Sequence, residues 1–288
     1  MHTTLNRAGW VVAGVLALFV VAAMTGVVRG GPLDPPGTPA PTDGVRESGT
    51  PIAALPFTIT QPGRYYVKRD LTGVAGQSGI TIAQDGVTLD LNGFTLHGVA
   101  NAVDGVVVSG VHSAVRIEHG TVRGWFNGID AQTATYSTIA NISAIQNGFA
   151  SGDGSFGILI AGNSILEDCN VSNNTATGLL ATAATVRNCV VTDKGNDGVR
   201  AAGFAMFQHN QVRHNDRVNT SSFVDFRVVG RGNSASDNAL GQVDSTQSTG
   251  FNAFVRNNHC GFGFPSVNDY APQQPVAHGD ENIEEFCQ

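Results

Sequence analysis

The chain has 288 residues, a formal net charge of −7, 14% charged residues and 36 glycines. That length is sufficient for one elongated domain with extensions. An acidic chain without a basic run or an aromatic-basic patch is not expected to bind nucleic acid. The same charge provides no general attraction to acidic polysaccharides.

Residues 1–29 are predicted to be a signal peptide or a membrane anchor. An uncharged, largely apolar run extends from Ala8 to Val28 after a short polar start. Ala22 and Ala23 offer a signal-peptidase site, but the run is also long enough to span a bilayer. We favour a cleaved signal peptide over an anchor. In both cases the segment contacts the membrane at least during export, and the protein is extracytoplasmic, either secreted or anchored.

Two short segments follow before the repeats. Residues 30–51 are rich in proline and glycine and are predicted to form an extended linker. Residues 52–76 are predicted to be an N-terminal cap, with Pro62 and Gly63 making a turn between two short strands. A cap is needed because the end of a strand solenoid exposes unpaired edges and an open core.

Residues 77–240 are predicted to form the coils of the β-helix, because a residue type that tolerates positive φ recurs there at intervals of 20 to 27 residues. Glycine, asparagine, aspartate and histidine are the types that best tolerate the left-handed αL conformation, which has positive φ. The series is therefore predicted to be one turn used repeatedly. Its members are Gly93, His119, Asn141, Asp168, Asn188, His209 and Gly232.

Apolar residues occupy fixed positions around this turn. Two residues before it the series runs from Leu91 and Ile117 to Phe207 and Gly230, and three residues after it from Leu96 to Ala235. Upstream of each turn a glycine begins an alternating strand, as in Gly157-Ile158-Leu159-Ile160. Short period-two strands at this spacing predict a solenoid in which each coil buries its apolar side against its neighbours, about 4.8 Å apart.

Several segments resemble a known family. Asp168-Cys169-Asn170-Val171-Ser172-Asn173-Asn174 and His209-Asn210-Gln211-Val212-Arg213-His214-Asn215 are similar to the N-C-x-V-x-x-N repeats of bacterial secreted proteins in the pectin-lyase-like superfamily. Val87-Thr88-Leu89-Asp90-Leu91-Asn92-Gly93-Phe94 is similar to the opening coils of that family. The resemblance implies an all-β fold: a single-stranded, right-handed parallel β-helix with N- and C-terminal caps. It does not select an activity, because the superfamily contains lyases, hydrolases, epimerases and proteins without a known reaction.

The four cysteines fall into two groups. Cys169 and Cys189 occupy equivalent positions in successive coils and are expected to stack inside the solenoid as free thiols rather than as a disulfide. Cys260 and Cys287 lie in residues 241–288, the predicted C-terminal cap or tail, and a disulfide between them would hold that segment in place. Sequence alone leaves three pairings open.

Two motif-like strings are assigned to loops. Gly152-Asp153-Gly154-Ser155-Phe156-Gly157 matches G-x-G-x-x-G, but a strand follows it instead of the helix that a dinucleotide site requires. Asp104 and Asp197 each precede a glycine without the rest of a calcium loop. We therefore predict no metal and no cofactor, with calcium expected only if the protein is a lyase.

Catalytic candidates come from two outward positions. On the glycine-led strands this position includes Asp130 and Arg200, which lie three coils apart, too far to act on one atom. Just before the αL turn it contains Asn92, Glu118, Ala140, Glu167, Arg187, Gln208 and Arg231. Glu167 and Arg187 in adjacent coils are interpreted as an exposed ion pair.

Two further types of residue could serve a ligand. Arg123 and Trp125 are candidate binding residues, because tryptophan in a polar loop can stack on a sugar ring, although packing of the indole over a coil edge is the favoured interpretation. His119 and His209 are interpreted as residues that form the αL turn, in preference to a role as catalytic bases.

Two functions remain open on the sequence. The favoured hypothesis is a non-catalytic extracytoplasmic β-helix that binds a polysaccharide or a cell-surface component. The alternative is a carbohydrate-active enzyme, a lyase, epimerase or glycoside hydrolase, with a site built from loops. The first is favoured because no outer position in this register brings two ionisable groups together for catalysis.

Overall fold

The fold is described by a computed structural model. It covers residues 49–149, 154–192, 195–213, 215, 225–236, 238–240, 243–248, 252–255, 258–259, 276–278 and 283–284. The predicted signal segment 1–29, nearly all of the linker, Cys260 and Cys287 lie outside these residues. Among the described residues no helix is long and apolar enough to cross a membrane.

The strands form three parallel ladders that the chain visits in turn, which confirms the all-β parallel β-helix. Ladder A contains the glycine-led strands. The strands of ladder A are Phe57–Ile59, Ile80–Ile82, Asp104–Val108, Asn127–Ala131, Phe156–Ala161, Thr177–Thr182, Val199–Ala202, Phe226–Gly230 and Val243–Ser248. Every pairing in this ladder is parallel.

Ladders B and C lie before and after the predicted αL turn and share one sheet. Arg116–Arg123 and Thr138–Ile145 run through the turn and contribute to both. The other ladder B strands are Thr50–Ile52, Gly63–Val67, Val87–Asp90, Ile165–Glu167, Thr185–Arg187, Met206–Gln208, Ser234–Ser236, Asn252–Val255 and Val276–His278. Ladder C adds Leu71–Thr72, Thr95–His97, Asn170–Ser172, Val190–Thr192, Gln211–Arg213, Ala239–Leu240, Asn258–His259 and Ile283–Glu284. His112–Ser113 and Ala134–Thr135 form a separate small pair.

The segments predicted to be caps contain strands of these ladders. Residues 50–72 contribute strands to all three ladders in parallel register with the next coil. Within 241–288 the described strands also continue them.

The interior is a stack of aliphatic side chains. Ile80, Val106, Ile129, Ile158 and Leu179 follow one another in ladder A, and each is fully buried. Each such side chain contributes about 1.5–3 kcal/mol relative to exposure. Because a coil offers its apolar side only to its neighbours, the stability of one coil depends on the next.

Cys169 and Cys189 stack in this interior as free thiols. Their sulfur atoms donate hydrogen bonds to the carbonyl oxygens of Glu167 and Arg187, at 3.1 and 3.2 Å. The same column continues with Asn210 and Asn238, whose amides bond to each other at 2.9 Å. The thiols are thus satisfied within their own coils, whereas the asparagine side chains bond from coil to coil.

All seven predicted turn residues have positive φ, between 54° and 81°. Six of them occupy the turn between ladders B and C. Gly232 does not, because Phe207 pairs with Ala235 and Gly232 therefore stands beside Phe204, in the turn that leads into ladder B. In four successive coils that second turn also has an αL residue, at Ala114, Tyr136, Asn163 and Ala183.

Candidate functional site

The strand register at the first αL turn differs by two residues from the register predicted from the sequence repeat. Ile117 pairs with Leu89, not with Leu91, so Glu118 lies beside Asp90 rather than beside Asn92. The cause is a longer turn, which occupies residues 91–94 in the earlier coil but only His119 and Gly120 in the next. The corrected register brings two carboxylates together on the outward face of ladder B.

Asp90, Glu118 and His119 form the centre of this group, which we call the ladder B cluster together with Arg64 and Arg116. Each of the three central residues offers one atom that could ligate a metal ion, a ring nitrogen or a carboxylate oxygen, and these three atoms lie within 4.8 Å of one another. His119 Nδ1 is 3.3 Å from Asp90 Oδ1 and 4.0 Å from Glu118 Oε1. Both carboxylates are nearly buried, whereas the imidazole is half exposed.

Each carboxylate has its own arginine. Arg64 donates to Asp90 Oδ2 at 2.7 Å, and Arg116 donates to Glu118 Oε2 at 2.5 Å. Asp90 Oδ1 also accepts the backbone N–H of Asn92 at 2.8 Å. Charged groups at this depth require such partners, since an unpaired buried carboxylate is strongly destabilising. The arginines remain partly exposed and keep N–H donors for a further anion.

The cluster does not fit calcium. Ca²⁺ takes six to eight oxygen ligands, most of them carboxylate or carbonyl oxygens. Here each carboxylate gives one oxygen to an arginine, and the third group is an imidazole nitrogen. The guanidinium groups supply the positive charge that an ion would otherwise provide.

The arrangement of His119 is suited to proton transfer. The Asp90 carboxylate contacts Nδ1, which leaves Nε2 on the opposite side of a half-exposed ring.

The catalytic candidates from ladder A are not brought together. Asp130 lies between Val107 and Leu159 and accepts the backbone N–H of Gln132. Arg200 bonds to the fully buried Asp197, which also binds Arg227 at 2.9 Å. Glu167 and Arg187 do pair across adjacent coils, at 2.5 Å, on an exposed face.

Asp104 is assigned to a loop on the sequence alone, but the structure places it in the ladder A strand Asp104–Val108, as a second acidic position on that ladder. Asp104 is buried, and its carboxylate accepts hydrogen bonds from Asn127 at 2.9 Å and Ser78 at 3.3 Å. Burial, followed by the charge of Asp130, raises the pKa of Asp104, although the bond from Asn127 opposes this. The Asp104-Gly105 string hid this residue because it resembles an ordinary turn.

The predicted binding pair is separated by the fold. Arg123 is exposed on ladder C, bonded to Gln146 and in register with His97. Trp125 is completely buried, and its indole N–H donates to the Leu96 carbonyl oxygen at 3.0 Å. The buried indole cannot stack on a sugar ring, so the candidate binding role of Trp125 is wrong and the favoured interpretation, packing, agrees with its burial. Packing is its role, inside the coil rather than over an edge.

The sequence matches no known protein family and no curated protein. Among solved structures it is similar to pectate lyase Pel9A, with a TM-score of 0.43 and 14% identity over 79% of this chain and 64% of that one. It is also similar to the A-module of mannuronan C-5 epimerase AlgE6 from Azotobacter vinelandii, with a TM-score of 0.40 and 15% identity over 78% and 84% of the two chains. The likeness is one of fold. The chain spans about two thirds of the lyase.

Proposed function

We propose that this protein is a carbohydrate-active enzyme that acts on an acidic polysaccharide, with His119 as the group that moves the proton. The supporting observation is the contact between His119 Nδ1 and Asp90 Oδ1 at 3.3 Å, beside two partly exposed arginines. The argument against an enzyme was the lack of a cluster of ionisable groups, and the ladder B cluster removes it.

The chemistry is proton abstraction next to a carboxylate. A uronate has a weakly acidic hydrogen on C5, and its removal needs a base together with cations that neutralise the sugar carboxylate. His119 Nε2 takes this proton while Asp90 stabilises the resulting imidazolium through Nδ1–H. Arg64 and Arg116 use their remaining N–H donors on the sugar carboxylate.

Removal of the C5 proton leaves a carbanion next to the sugar carboxylate, and two products can form from this intermediate. In a lyase reaction the C4 oxygen substituent leaves with its electron pair and takes a proton from solvent water, while a C4–C5 double bond forms and the polymer breaks. In an epimerase reaction solvent water delivers a proton to the opposite face of C5 and inverts that centre, and the His119 imidazolium releases its proton to solvent. The protein residues perform the same first step in both, without calcium.

A non-catalytic role is the second candidate, and one observation favours it. The two arginines balance the two carboxylates, and Asp90 also binds the backbone of Asn92, so the cluster stabilises the coil stack without a substrate. In that case the β-helix is a polysaccharide-binding or cell-surface protein. Both candidates place the protein outside the cytoplasm, as the predicted N-terminal signal segment requires.

The deciding experiment compares His119→Asn with His209→Asn. Both histidines occupy the same kind of turn with φ of 55°, and asparagine tolerates that conformation, so both variants should fold. Polygalacturonate, alginate and a neutral glucan are incubated with each protein, with and without a chelator. We expect unsaturated or epimerised uronates from the parent and from His209→Asn, about a hundredfold less from His119→Asn, and no effect of the chelator.

Unchanged polysaccharides with every protein would overturn the enzymatic proposal. Retention of the polymers on the parent would then leave the binding role. Equal product formation by the two variants would show that the reaction takes place elsewhere, and Asp104 and Asp130 on ladder A would be the next groups to replace.

A further inference from the structure

Two exposed aromatic residues stand in the turn that leads into ladder B. Tyr136 has φ of 48° with 71% of its surface exposed, and Phe204 has φ of 63° with 63% exposed. Bulky side chains are outliers at positive φ, where glycine and asparagine are comfortable. Neither ring is buried in the core in return. Local stability does not explain these residues.

The two aromatic residues are aligned along the coil stack. Thr138 pairs with Ile165, Ile165 with Thr185, and Thr185 with Met206, so the residues two positions earlier share one column. That column runs Tyr136, Asn163, Ala183 and Phe204. Three coil steps of about 4.8 Å place the aromatic residues about 14 Å apart. Only an asparagine and an alanine stand between them.

The Phe204 ring lies against Gly232 of the following coil. A Cβ atom at Gly232, the next residue in the column, would lie 2.4 Å from Cδ1 of Phe204. The ring therefore rests on the bare backbone of the following coil and presents its other side to solvent. Met206, two residues further on, is 42% exposed and extends this apolar platform.

We propose that Tyr136 and Phe204 form a stacking ridge that holds a polysaccharide chain parallel to the solenoid axis. The flat faces of sugar rings carry C–H groups that pack on aromatic rings, and one hexose unit is about as long as one coil step. The two rings would contact sugars three units apart, while the intervening sugars pass over Asn163 and Ala183.

The ridge deepens the proposed function and takes its substrate class from it. Arg116 pairs in register with Thr138, two residues after Tyr136, so the ridge borders ladder B, the ladder that carries the cluster. A second copy of this chain is the competing occupant for an exposed aromatic pair. The acidic polymer is favoured because the partly exposed arginines of the cluster lie on the ladder that the ridge borders.

The test replaces each aromatic residue by the type that its backbone prefers. Tyr136→Asn, Phe204→Asn and the double variant relieve positive φ, so their melting temperatures should equal or exceed that of the parent. Val111→Asn is the control, since Val111 is 78% exposed outside the ridge. Binding of the full chain to polygalacturonate and alginate oligomers is measured by calorimetry, together with oligomeric state by light scattering.

We expect about fivefold weaker binding for each single variant, at least tenfold for the double variant and no change for Val111→Asn. Unchanged affinity in the double variant, or no binding by the parent, would overturn the ridge. So would variants that lose only self-association. The proposed reaction fails separately: binding lost in the ridge variants without any product from the parent would support the ridge and reject catalysis.

Discussion

Asp90 and Glu118 lie side by side in adjacent coils, and each holds a different arginine. The oxygens that face Arg64 and Arg116 are not those that face His119, so one carboxylate pair serves two kinds of partner. Nearly buried carboxylates tolerate this proximity only while the arginines are present. The stability of this part of the helix and the placement of His119 are therefore coupled.

Because Asp90 is more deeply buried than Glu167, removal of the arginine that pairs with Asp90 should destabilise the protein more than removal of the arginine that pairs with Glu167. Arg64→Gln leaves the nearly buried Asp90 without its cation and should lower the free energy of unfolding by about 1–3 kcal/mol. Arg187→Gln removes the partner of Glu167 on an exposed face and should change it by less than about 1 kcal/mol. Urea unfolding of both variants provides the comparison. Equal losses would contradict the difference in burial between the two pairs.

The β-helix could be predicted because its local requirements repeat in the sequence. Glycine, asparagine, aspartate or histidine recurs where the chain needs αL, and the apolar alternation supplies the core. The turn into ladder B was not found, since residues such as Ala114, Tyr136, Ala183 and Phe204 are not types that signal positive φ. Tertiary pairing imposes that conformation on them.

The ladder B cluster was missed because one turn is two residues longer than its successors. Leu91 is apolar and fully buried, and so it imitated a strand position when it was aligned with Ile117. In the structure it fills the space above Gly120, where a Cβ atom would lie 2.4 Å from that of Leu91. In the sequence pattern, the turn residue Leu91 was therefore taken for the strand residue that pairs with Ile117, which is Leu89.

Trp125 was misplaced for a related reason. Its indole fits inside the coils because neighbouring positions lack side chains: a Cβ atom at Gly73 or Gly79 would lie 2.2 or 2.8 Å from Cη2 of the ring. These glycines are distant in sequence from Trp125 and resemble turn residues. Only the stacking of coils shows that they form one pocket.

The stacked thiols should be chemically inert in the native protein. Hydrogen bonding to Cys189, and then burial, raises the pKa of the Cys169 thiol, which disfavours the reactive thiolate. With Cys260 and Cys287 replaced by serine, we expect a thiol reagent to modify the folded protein at least about a hundredfold more slowly than the unfolded one. Val111→Cys in the same background provides an exposed thiol as the positive control. Rapid native labelling at Cys169 or Cys189 would contradict their placement in the core.

Replacement of Ile158 by aspartate should unfold several coils together. Ile158 is fully buried between Ile129 and Leu179, and an unpaired carboxylate there should cost more than about 3 kcal/mol. Leu180→Asp is the control, because position 180 faces outward with Arg200 in register. Thermal melts and hydrogen exchange would show loss of protection on both sides of Ile158. A melt identical to that of the parent would contradict the inward assignment of this residue.

Asp104 and Asp85 should make the stability depend on pH with opposite signs. Because burial raises the pKa of Asp104, the folded state holds the proton more tightly than the unfolded state. Its contribution to stability is complete below the ordinary carboxyl range and is lost as the pH rises through the raised value. The backbone N–H of Ser113 and then His112 lower the pKa of Asp85, so its contribution is present above that range and lost on acidification. From about pH 3 to 7, Asp104→Asn should therefore gain stability over the parent as the pH rises, and Asp85→Asn should lose it. Urea unfolding across this range tests both signs, and parallel profiles for the two variants would contradict the assigned environments.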